Sequence, residues 1–155
     1  MQPDEQQLFR ALAVFPGAFD LESAVQFFSA TGATRLQTIE LVSTLVDQNL
    51  LIRLNEAGPG RYAMLGSMRD FGQAQLVAAS EDAAVRAQFV DIILERSAPP
   101  ESAPRDDVAW LGRVERSWDD IRTAFSWLIA NGDGARALQL TSNLVGWWGT
   151  RGNPR

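Results

Sequence analysis

The residues best suited to acid–base work are two adjacent carboxylate pairs, Asp106-Asp107 and Asp119-Asp120, and the single tyrosine, Tyr62. Neighbouring side chains on a helix diverge by about 100°, so neither pair converges on one reacting atom. Both are expected to be first-turn helix charges, near Pro104 and Ser117. The chain has no histidine and no cysteine. That excludes imidazole and thiolate metal sites, cysteine nucleophiles, disulfides and histidine-based catalysis. It also has no lysine, so no GxxxxGK[ST] phosphate loop exists. Gly58-Pro59-Gly60 is expected in a hairpin loop. Gly132-Asp133-Gly134 has two positions of a calcium loop without its other spaced carboxylates or closing Glu, and is expected to be a turn. An enzyme built on carboxylates would need two acids facing each other in a cleft, and the spacing offers none. The expectation is no catalytic residue, no metal and no cofactor.

The formal net charge is −5, and all 14 basic residues are arginine. Residues 1–79 hold five Arg against eight Asp/Glu, and residues 80–155 nine against eleven. Nucleic-acid binders usually carry a basic face, and neither half has one. No run approaches 18 apolar residues, and Met-Gln-Pro-Asp-Glu is not a secretory start. A soluble, cytoplasmic protein with no membrane partner is expected.

The positioning elements follow from spacing. Pro3 with Asp4 and Glu5 opens a helix, and Leu8, Ala11, Leu12 and Phe15 recur along it until Pro16-Gly17. Asp20 caps a second, with Leu21, Ala24, Val25 and Phe28 on its apolar face. Thr34 caps a third, with Ile39, Val42, Leu45 and Val46 inward. Two β-prone runs, 50–54 and 61–65, flank the loop Asn55–Gly60 and predict a hairpin. A helix with Leu65, Met68, Gly72 and Leu76 on one stripe follows. Helices, hairpin, helix is winged-helix order, placed at 1–79. Residues 80–155 are expected to be all-helical. Ser80 caps a helix with Val85, Phe89, Ile92 and Ile93 inward, and a proline-rich linker covers 98–104. One helix then carries Val114, Trp118, Ile121, Phe125 and Leu128. The last has Leu138, Thr141, Val145 and Trp148 on one line and Leu140, Leu144 and Trp147 on the next. Such a pair resembles the unit of helical solenoids. The fold class is mainly α: a winged helix followed by an all-α, TPR-like segment.

If the winged helix met DNA, Arg35 on the third helix and Arg53 and Arg61 beside the wing would be its contacts. Glu40 and Asp47 on the same helix oppose that use. Five tryptophans cluster after residue 109; most are expected in the helical interior. Trp147 and Trp148 are the candidates for a partner surface.

The stretch Pro3–Phe19, then Leu45–Leu51, Arg61–Leu65 with Met68–Phe71, Trp110-Leu111 through Glu115, Asp120–Phe125, and Gly132-Asp133 with Ala137-Leu138 are in order similar to a known region. It resembles the winged helix and first TPR-like repeats of bacterial STAND-type (NB-ARC-like) ATPase transcriptional regulators of the LuxR and antibiotic-pathway kind. The resemblance implies a non-catalytic internal fragment that couples a nucleotide-binding ATPase module in cis to a TPR-like sensor region, with further repeats or a partner protein beyond, and no ATP hydrolysis of its own. Relatives often carry a Met-His-Asp triplet whose histidine senses phosphate; the corresponding positions here are Met64, Leu65 and Gly66. The alternative is a freestanding winged-helix DNA-binding regulator using Arg35, Arg53 and Arg61.

Overall fold

The computed structural model describes residues 2–54, 60–101 and 107–151, with the backbone alone for Arg151. The chain divides into two compact units, Met1–Gln88 and Phe89–Arg155. The expected hairpin tip with Glu56, and Ser102–Asp106 of the linker and first carboxylate pair, lie outside the described residues.

In the first unit Pro3, Asp4 and Glu5 begin helix α1 (Pro3–Leu12) as their chemistry requires, and the Gln2 N–H donates to Glu5 Oε2 at 2.9 Å. Strand β1 (Phe19–Asp20) leads into α2 (Leu21–Ser29), where Asp20 caps by accepting from the Ser23 N–H at 2.7 Å. Helix α3 (Arg35–Asp47) starts at Thr34. Strands β2 (Ile52–Leu54) and β3 (Arg61–Ala63) precede α4 (Gly66–Ala78). The sheet is antiparallel in the order β1-β3-β2, with Phe19 opposite Tyr62 and Arg53 opposite Tyr62 on the other side. This is a winged helix. Strand β1 was not foreseen, since two residues show no alternation.

The core holds Leu8, Leu12, Phe15, Phe27, Val42, Leu45, Leu51 and Leu76. Phe27 is buried where Leu21 and Val25 were expected; its ring meets Phe15 edge-on, with centroids 5.8 Å apart. On α3 Thr38 is fully buried, its hydroxyl donating to the Thr34 carbonyl at 3.1 Å, while Ile39 and Val46 are half-buried. On α4 only Gly72 and Leu76 are buried, and Leu65 is half exposed. A β-carbon on Gly72 would lie 2.7 Å from Ala13 Cβ, so α4 meets the end of α1 at a distance only glycine permits.

Both α3 and α4 end by left-handed residues that are not glycine, Asn49 (φ 59°) and Ser80 (φ 58°). Leu50 and Glu81 then donate back to Leu45 and Leu76 at 2.9 Å. Ser80 therefore closes α4 and does not cap the next helix, α5 (Asp82–Ser97), which crosses from the first unit into the second.

The second unit is helical among the described residues: the rest of α5, then α6 (Val108–Arg116), α7 (Trp118–Ala130) and α8 (Gly134–Arg151). The single helix expected through Val114 and Leu128 is broken at Ser117 (φ −98°, ψ 11°), and Asp119 and Asp120 sit in the first turn of the new helix. Trp110 is 1% exposed, and its Nε1 donates to the Ser97 carbonyl at 3.1 Å. Asn143 Nδ2 donates to Leu94 O and Ser97 Oγ, both at 3.1 Å. These bonds hold the end of α5 to α6 and α8. On α8 the inward residues are Ala137, Leu140 and Leu144. The line Leu138, Val145, Trp148 faces out instead, because Trp110 stands over Gly146 on the opposite flank.

Gly132 (φ 70°) ends α7, and Asp133 starts α8. Asp133 Oδ1 accepts from the Arg136 N–H at 3.1 Å, and Oδ2 from Arg136 Nε at 2.6 Å. The Arg136 side-chain bond, then its backbone bond, hold the Asp133 carboxyl below its ordinary value of 3.8. Gly132-Asp133-Gly134 is thus a helix start.

Gly72→Ala is expected to lower stability. The forced shift of α4 costs about 1–3 kcal/mol, more than the roughly 1 kcal/mol that alanine gains over glycine in a helix. A lower denaturation midpoint with an unchanged m-value is the measurement. A second prediction concerns pH. Since the Asp133 carboxyl titrates lower folded than unfolded, its contribution is complete above pH 3.8 and is lost as pH falls through the folded value. Asp133→Ala should therefore melt below the parent at pH 7, and the gap in Tm should close as the pH drops below about 3.8.

Candidate nucleic-acid and partner interfaces

Helix α3 occupies the place of a recognition helix. It is anchored by a reciprocal cap: Gln37 N donates to Thr34 Oγ1 at 3.3 Å and Thr34 N to Gln37 Oε1 at 2.8 Å. Burial of Thr38, Val42 and Leu45 turns Arg35, Leu36, Gln37, Glu40, Ser43 and Asp47 outward. The Arg35 guanidinium is already paired, with Nη1 2.7 Å from a Glu22 oxygen. In so exposed a pair the attraction is worth little, but the Glu22 carboxylate offsets the arginine's charge. Glu40 and Asp47 make the rest of the face acidic.

The three candidate arginines are not equivalent. Arg61 lies opposite Asp20 in the sheet, and its Nη2 donates to the Ala18 carbonyl at 2.8 Å. Arg53 is exposed on β2, and its side chain makes no hydrogen bond to another described residue. The wing therefore offers one arginine at its surface and one tied into the fold.

The carboxylate pairs do not converge. Asp107 caps α6, accepting from the Ala109 and Trp110 N–H groups at 2.8 and 3.0 Å. Asp119 is exposed, 3.8 Å from Arg122, whereas Asp120 is buried. Among the described residues no three acidic side chains gather as a metal site would require. No helix among them is long and apolar enough to cross a membrane.

The two tryptophans of α8 part company. Trp147 is half-buried and stacked on Trp118, with centroids 4.8 Å apart and planes 24° from parallel. Its Nε1 is buried with no hydrogen-bond partner among the described residues. Trp148 is 44% exposed and continues the outward line of Leu138 and Val145. Spacing gives both apolar lines of α8 but not which one faces out.

One feature escaped sequence reading altogether. A groove of about 540 Å³ in the first unit is lined by residues that include Asp4, Phe28, Gly32, Glu40 and Thr44. Its walls come from α1, the α2–α3 turn and α3, so no single stretch carries its signature.

No family model matches the chain, and no solved structure matches it. It is 32% identical over 152 residues to proteins named "putative HTH-type transcriptional regulator" from Mycobacterium bovis and from two strains of Mycobacterium tuberculosis. The aligned region covers 97% of this chain and 17% of each relative. The chain is thus similar, over nearly all its length, to a segment making up less than a fifth of proteins that bear a transcriptional regulator's name.

Proposed function

We propose that this chain is a regulatory, non-catalytic segment of an HTH-type transcriptional regulator, its winged helix acting as a contact module and its helical unit as a TPR-like scaffold. The observation that carries this reading is the similarity, along 97% of the chain, to proteins of that name. A winged helix suits such a role, and the scattered carboxylates offer no catalytic alternative.

The relatives' name favours a DNA-binding regulator, in which Arg35, Arg53 and Arg61 would be this segment's contacts, over a place in a STAND-type ATPase; the latter rests on the family resemblance alone. The charge distribution favours the second reading, in which the module packs against a nucleotide-binding partner in the same longer protein and α8 meets further repeats or a partner protein through Trp148. Arg35 is paired with Glu22 and Arg61 with the Ala18 carbonyl. A cytoplasmic location without a membrane partner belongs to both readings.

Titrating the chain with a fluorescent random duplex from 50 to 200 mM salt separates them. DNA contact through three arginines gives a log–log salt slope of about −2 to −3, and Arg53→Ala reduces its magnitude by about one. An absence of salt-sensitive binding at 50 mM leaves the packing role.

A further inference from the structure

We propose that the first unit carries a binding groove for an extended peptide segment that presents one basic side chain followed by aliphatic ones. It stands independently of either reading above.

The groove has two connected parts. The larger, about 540 Å³, lies along the start of α1, the turn after α2 and one flank of α3. The smaller, about 230 Å³, runs on between α1, α2 and the first turns of α5. Gln7, Phe28 and Thr31 line both, so the two lie side by side. Their volumes fall in or near the range of ordinary ligand sites.

The two parts differ in chemistry. Asp4 and Glu40 stand on the walls of the larger part, and neither carboxylate has an ion pair or hydrogen bond among the described residues. No arginine lines it. The C-terminal end of α2 opens onto the same space through Thr31 and Gly32, and its last turn holds no basic residue. Its last carbonyls are capped locally, Phe28 O by the Thr31 N–H and hydroxyl and Ser29 O by the Gly32 N–H, so the unpaired negative charge of this part is that of the two carboxylates. In the smaller part the walls are largely apolar, with Ala11, Phe27, Ala84 and Val85. Its one acid, Glu81, is already neutralised by Arg10 through two bonds of 2.9 Å. One part of the groove thus suits a cation and the other an apolar group.

Gln7 selects a peptide over a simple alkylammonium. It sits at the junction, and its amide makes no hydrogen bond to another described residue. A primary amide offers a donor and an acceptor together, which a passing peptide group matches. The basic side chain would lie between Asp4 and Glu40, and the following aliphatic side chains over Phe28, Ala84 and Val85.

The test uses the whole chain, ¹⁵N-labelled, and the capped peptide acetyl-Arg-Leu-Leu-amide. Amide shifts are expected at Thr31, Gly32, Glu40 and Thr44 together with Ala84 and Val85. Asp4→Asn combined with Glu40→Gln should weaken binding about tenfold or more, and acetyl-Gln-Leu-Leu-amide should bind the parent as weakly. Gln7→Ala should weaken the peptide but leave hexylammonium unchanged. Asp4 and Glu40 are exposed and Gln7 is half-buried, and unchanged circular dichroism shows that the fold survives their substitution. The proposal fails if millimolar peptide shifts none of these amides, if the neutral peptide binds equally well, or if hexylammonium binds as tightly as the peptide.

Discussion

The first unit depends on how one buried turn satisfies its backbone. Residues Ala13 to Phe15 leave α1 inside the core and Pro16 to Ala18 continue half-buried, and a buried carbonyl without a donor costs as much as a lost hydrogen bond. The donors come from far along the chain. Gln73 Nε2 reaches the Ala13 carbonyl at 2.9 Å, an Arg69 Nη reaches that of Pro16, and Arg61 Nη2 reaches that of Ala18 at 2.8 Å. Strand β3 and helix α4 are thereby bound to the end of α1, and Gly72 lets α4 approach closely enough to do it. The same requirement takes Arg61 out of the set of free surface cations. Its guanidinium is held by the half-buried Ala18 carbonyl.

Electrostatics in this unit follow from small local pairings more than from net charge. Arg10 answers Glu81 and Arg35 answers Glu22, and no cation among the described residues pairs with Asp4, Glu40 or Asp47. A helix with that outward face is a poor reader of base edges. The relatives' name pulls towards DNA; the charges pull towards a protein or peptide partner. Winged helices serve both ends, and what distinguishes them is the surface of α3 and the wing.

In the second unit the indole of Trp110 plays the comparable part. Its N–H and the amide of Asn143 close off the carbonyls at the end of α5, where the proline-rich stretch stops the helix. With Trp110 over Gly146, one side of α8 is committed to the interior. Leu138, Val145 and Trp148 are left outside as a line about 15 Å long.

Local chemistry alone was enough for much of this. Proline and acids at Pro3–Glu5, the caps Asp20 and Thr34, the hairpin runs about residues 50–65 and the Asn131–Gly134 stop all act within one helical turn or one strand pair, so their residue types are legible directly. What needed the tertiary structure was every choice between two locally equal faces. Spacing cannot say that Phe27 outranks Val25, that Leu140 and Leu144 go in while Leu138 and Val145 go out, or that the run Val114–Leu128 breaks at Ser117. Those depend on what stands opposite. The same holds for Arg61, whose partner is 43 residues away, and for the groove, whose walls meet only after α1, α2, α3 and α5 have packed. Short-range hydrogen bonding is written in sequence order; long-range burial and charge pairing are not, because a side chain's environment is set by neighbours that the chain brings from elsewhere.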